Sequence, residues 1–137
     1  MKYPFILSIC LLFFLHSYAQ RSACDSVYKT IDTLAEYPGG PEALVKFMNT
    51  EMKDAINDCY AKDSTMITSM TINLLIDKKG KVIEATFDDV ELAKGCRERM
   101  RNRLLGMKTW TPAQYKGKAI CSYYSWLVGG VMWEDQK

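Results

Sequence analysis

Two periodicities divide the chain. From Met66 to Asp77 the positions alternate, with Met66, Thr68, Met70, Ile72, Leu74 and Ile76 on one side and Ile67, Ser69, Thr71, Asn73, Leu75 and Asp77 on the other. Period-two patterning predicts a half-buried strand with the first set facing inward. Asp77-Lys78-Lys79-Gly80-Lys81 reads as a hairpin loop whose Gly80 takes a left-handed conformation. Val82 to Asp88 returns as a second strand, placing Ile83, Ala85 and Phe87 against Glu84, Thr86 and Asp88.

Helical spacing flanks this hairpin. Behind Tyr37-Pro38-Gly39-Gly40, the residues Ala43, Leu44, Phe47, Met48 and Met52 predict a helix over 41–54. Pro41 suits its first position, where a missing N–H costs nothing. Ile56, Cys59 and Tyr60 extend it as a second short helix before Asp63-Ser64. Between Val90 and Lys108, Leu92, Cys96, Met100, Leu104 and Met107 form one stripe. Lys94, Arg97, Arg99, Arg101 and Arg103 supply a basic exterior, with Gly95 delaying the helix start and Gly106 helping to end it. Trp110-Thr111-Pro112 begins an extended corner, with Trp110 either a core plug or the lining of a partner groove. Lys116-Gly117-Lys118 is a turn. Ala119 to Val128 is the last strand, Ile120, Tyr124, Trp126 and Val128 on one face and Cys121, Tyr123 and Leu127 on the other.

The order αββαβ predicts an α+β fold, a two-layer sandwich with two helices on one face of a three-stranded antiparallel sheet. The hairpin makes strands 1 and 2 neighbours, and the long apolar strand 1 belongs in the middle, giving the order 2-1-3. The last strand is then an edge, and no charged residue occurs between Ala119 and Trp133. Unpaired backbone groups on such an edge recruit another strand. The candidate partner-binding residues are therefore Ile120, Cys121, Ser122, Tyr123, Tyr124, Ser125, Trp126 and Leu127. Tyr123 and Leu127 either anchor an incoming strand or lie under the segment 31–37.

Composition narrows the setting. Lys2 and the apolar run Phe5–Leu15, followed by Ser17-Tyr18-Ala19, form a signal peptide expected to be cleaved after Ala19, with retention as an inner-membrane anchor the alternative. Residues 20–30 read as a flexible leader, Ile31–Tyr37 as an extended segment docking on the body, and 31–133 as one domain. Residues 20–137 retain 17 basic and 16 acidic side chains, a balance with no nucleic-acid signature. Export permits disulfides among Cys24, Cys59, Cys96 and Cys121 in three connectivities, with free buried thiols the other reading. No His follows His16, no cysteine pair has metal-site spacing, and Asp88, Asp89 and Glu91 read as a solvated turn. The expectation is a non-enzyme with no cofactor and no small-molecule substrate. The arginine run reads as a solvated face, or as a contact for partner carboxylates, anionic lipid or cell-wall polymer.

Several of these pieces occur together in one known family. Glu36-Tyr37-Pro38-Gly39-Gly40 with Glu42-Ala43-Leu44 and Phe47, then Ile76-Asp77-Lys78-Lys79-Gly80-Lys81-Val82, Met107-x-x-Trp110-x-Pro112 and the Gly117-Lys118 turn resemble the C-terminal domain of TonB-like energy transducers of the Bacteroidetes type. The resemblance covers about residues 31–130. It implies a periplasmic module in transmembrane transport whose last strand captures an extended segment of an outer-membrane TonB-dependent receptor by β-augmentation. Leu12 stands where the family's coupling helix would place Ser before His16, and no Pro-rich spacer precedes Pro38. The recognition domain without the transducing parts is thus expected. The alternative is a self-associating envelope protein that uses the same edge for a homodimer.

Overall fold

The computed structural model describes residues 24–129. The expected signal peptide and residues 130–137 lie outside the described residues. Helix α1 (Gly40–Phe47) starts behind Gly39, whose positive φ of 88° lets the chain turn sharply into the helix. A π-helical turn, Met48–Met52, leads directly into α2 (Lys53–Asp63), so the expected helix and its short extension form one unbroken run. The wider π turn keeps residues spaced by four in line. Leu44, Met48 and Met52 are all buried for that reason, and Ala55 and Cys59 continue the stripe. Tyr60, expected on the same face, is exposed. The run stops at Ser64, which adopts a left-handed conformation while the Thr65 N–H donates back to the Cys59 carbonyl.

Strands β1 (Ser69–Ile76) and β2 (Val82–Asp88) form the antiparallel hairpin, and β5 (Ser122–Gly129) pairs antiparallel with the other flank of β1. The order β2-β1-β5 is the expected 2-1-3. Helix α3 (Lys94–Leu105) packs over β2 and against α2. Gly106 follows as its cap with φ −86°, not left-handed. The short hairpin β3 (Gln114–Tyr115) and β4 (Lys118–Ala119) turns through Lys116 and Gly117, both at positive φ as a tight hairpin requires.

Met70, Ile72, Leu74 and Ile76 bury the predicted face of β1. Met66 and Thr68 do not join them: both precede the strand, and Met66 is 71 % exposed. In β2 the inward residues are Val82, Ala85 and Phe87, not Ile83. A register shift between Leu75 and Ile76 pairs Leu75 with Glu84 but Ile76 with Val82, leaving Ile83 as the extra residue. The outer face of the sheet is bridged by polar groups. Ser125 donates to Asn73 Oδ1, Asn73 Nδ2 donates to Asp88, and Thr71 donates to Asp89.

A disulfide and two ion pairs tie the helices to each other. Cys59 and Cys96 form a disulfide, Arg103 pairs with Glu51 at 2.5 Å, and Arg99 pairs with Asp63. Cys24 and Cys121 form the second disulfide, so one of the three possible connectivities is realised in place of free thiols. No helix among the described residues is long and apolar enough to cross a membrane.

Candidate strand-docking edge

An aromatic corner sets the position of β5. Gly80, at φ +81°, donates no side chain where one would collide: an added Cβ would lie 1.8 Å from the Trp110 carbonyl oxygen. The loop closes around buried Asp77, whose Oδ1 accepts the N–H groups of Lys79 and Lys81. Trp110 N–H in turn donates to the Gly80 carbonyl at 2.8 Å. The indole is a core plug, edge-on to Tyr37 with centroids 5.4 Å apart and 4.9 Å from Tyr124. Burial pushes the Tyr37 hydroxyl above the ordinary tyrosine pKa of 10.0, and the nearby Glu51 charge adds to the shift. Tyr124, itself on β5, thereby locks the strand against the core.

The N-terminal segment does not lie over Tyr123 and Leu127. Residues 31–37 instead follow the Trp110 corner: Asp32 and Thr33 N–H groups donate to the Gln114 carbonyl, while Glu36 and Thr111 exchange bonds of 2.9 and 2.8 Å. Further back, Val27 bridges Cys121 in parallel, beside the Cys24–Cys121 disulfide. The leader is therefore pinned from Cys24 onward, where polar composition alone suggested a loose tether.

The eight candidate residues fall into two groups. Ile120 and Cys121 precede β5 and are buried, and the Ser122 side chain is buried at its start. From Tyr123 the side chains alternate, with Tyr124 and Trp126 half-buried under the helices and Tyr123, Ser125 and Leu127 facing out. Tyr123 is 55 % exposed and Leu127 72 %, large values for apolar side chains on a strand. One flank of β5 bonds to β1; no strand among the described residues occupies the other.

Sequence reasoning missed one component. Beside β5, on the helix side, an apolar groove of about 530 Å³ runs between Val45, Met48, Met52 and Ile56 of the helical run and Trp126 and Val128 of the strand. The helical stripe carried the signal, since Val45 and Ile56 sit just off its buried centre. A strand added to β5 would turn alternate side chains toward this groove and the others toward Tyr123 and Leu127. Comparison with protein-family models, curated proteins and solved structures finds no match for the chain.

Proposed function

We propose that this protein is a strand-capturing module of the bacterial envelope, in which the free flank of β5 receives an extended segment of an outer-membrane TonB-dependent receptor. The observation that carries the reading is the position of β5: the outermost strand among the described residues and without a charged residue, with a groove beside Trp126 and Val128 on its helix face and exposed Tyr123 and Leu127 on the other. The resemblance of the Tyr37-Pro38-Gly39-Gly40 and Met107-x-x-Trp110-x-Pro112 elements to the TonB C-terminal family supports the choice of partner. So does the export signal expected at residues 1–19, which would deliver the domain to the periplasm.

Magnitudes indicate what such a site needs. Ordering an extended peptide costs roughly 1–2 kcal/mol per residue, and each new backbone hydrogen bond contributes a net ~0.5–1.5 kcal/mol. Backbone pairing thus roughly offsets ordering. Affinity then comes from side chains, each buried apolar one contributing about 1.5–3 kcal/mol. The ligand is accordingly an extended segment with apolar residues at alternate positions, seated in the groove.

The test is a titration of the exported domain with extended segments of outer-membrane receptors, followed by backbone amide NMR. Shifts should concentrate on Ser122–Gly129, and Tyr123→Pro, which breaks the edge, should abolish them while the amides of β2 stay in place. A stable dimer that no such peptide perturbs would replace this reading with self-association through the same edge.

A further inference from the structure

The sheet has a second outer strand, and its surroundings differ from those of β5. Among the described residues, strand β2 bonds to β1 on one flank only. Beside its other flank lies a cleft of about 450 Å³, bordered by β2 residues 83–88 and by Arg97 and Arg101 of α3. The arginine run is thereby divided. Arg99 and Arg103 reach Asp63 and Glu51 and bind the helices together. Among the described residues, Arg97 and Arg101 have no ion-pair partner, and both are exposed. Structural pairing accounts for one half of the run and leaves the other half facing the open strand.

We propose that the outer flank of β2 is a second docking edge, specific for an extended polypeptide with acidic side chains at alternate positions. Charge on both faces of the edge sets the pattern. Arg97 and Arg101 border the cleft from the helix layer, whereas Glu84 and Asp88 pair with Leu75 and Thr71 on the outer face. An added strand points successive side chains to these two faces in turn. Carboxylates directed at the helix layer meet guanidinium groups, and basic or neutral residues directed outward meet Glu84 and Asp88. The spacing agrees: residues four apart on a helix are separated by about 6 Å along its axis, and residues two apart on a strand by about 6.8 Å. Guanidinium–carboxylate pairs are charge-assisted and frequently bidentate. A lipid surface or a polyanion could use the two arginines but would leave the backbone groups of β2 unpaired, which favours a polypeptide.

The proposal is independent of what β5 binds. Its test uses the full exported chain and a capped nonapeptide alternating glutamate with lysine, with a peptide of identical composition but clustered glutamates for comparison. The alternating peptide should bind at least about tenfold more tightly than the clustered one and should shift amides of Ile83–Asp88, not of Ser122–Gly129. Arg97→Gln with Arg101→Gln should weaken binding about tenfold or more, with Arg97→Lys and Arg101→Lys intermediate. Arg103→Gln, which removes one charge from the same helix at a residue already paired with Glu51, should leave it within about twofold. Equal binding of the two peptides, an unchanged affinity in the double Gln variant, or shifts confined to β5 would each overturn the proposal. So would Arg97- and Arg101-dependent binding to phosphatidylglycerol vesicles by a chain that ignores the peptide.

Discussion

Gly80 owes its identity to a neighbour far away in sequence. Its positive φ alone would disfavour a side chain, but the closer constraint is the Trp110 carbonyl, which occupies the space of any Cβ. Gly80→Ala must therefore separate the hairpin from the Trp110 corner. It should cost at least about 1–3 kcal/mol in chemical denaturation, with altered near-UV circular dichroism from the indole. Tyr37, on the other side of that indole, yields a prediction in pH. Its folded-state pKa is raised, so above pH 10 the unfolded chain releases the phenol proton while the folded chain keeps it. Stability from this residue is full below pH 10 and declines as pH rises beyond it. Denaturation midpoints of the protein and of Tyr37→Phe, compared from pH 8 to about pH 11, should show the parent losing more stability over the upper part of that range.

Among the elements, the hairpin, the helical run, α3 and the strand order were all legible, because each buries a continuous stripe whose period survives in the residue order. Displacements of a single residue were not. Ile83 looks like a core position until the register shift beside Ile76 turns it aside, and that shift belongs to the pairing of two strands rather than to either alone. The π turn at Met48–Met52 is hidden similarly, since spacing by four is compatible with an ordinary helix. At the candidate docking edge, the exposure of Tyr123 and Leu127 could be anticipated only as one of two possibilities, because the path of residues 31–37 depends on backbone bonds to Thr111 and Gln114. Cysteine spacing left three pairings open, and packing selected Cys59–Cys96 by bringing α2 and α3 together. That bridge closes a loop of 37 residues in sequence separation. Cys59→Ala with Cys96→Ala should lower stability by about 3–4 kcal/mol, the larger part through greater freedom of the unfolded chain. Equilibrium denaturation of the double variant, with circular dichroism confirming retained helix, measures it.

For the whole molecule, the second disulfide acts differently. Cys24–Cys121 spans 97 residues of sequence, almost the full described length, yet Cys24 stands at the end of a segment held mainly by backbone bonds over the Trp110 corner. The loop-entropy argument predicts ~4–5 kcal/mol for a loop of this size, but it presumes that the whole loop is ordered by the native fold on both sides of the bridge. Residues 24–37 bury little: Val27, Tyr28 and Leu34 are exposed, and Ile31, Ala35 and Tyr37 carry the hold on the core. Without the bridge, residues 24–30 should therefore open while the sheet and helices remain folded, a local loss rather than a global one. Limited trypsin digestion distinguishes the two. Cys24→Ala with Cys121→Ala should speed cleavage at Lys29, about tenfold for each ~1.4 kcal/mol removed from local opening. Hydrogen-exchange protection at Ile72 and Leu74 should stay close to that of the parent. Equal loss of protection at those core amides would instead make the leader an integral part of the cooperative fold, and would place the start of β5, at Ser122, under its control.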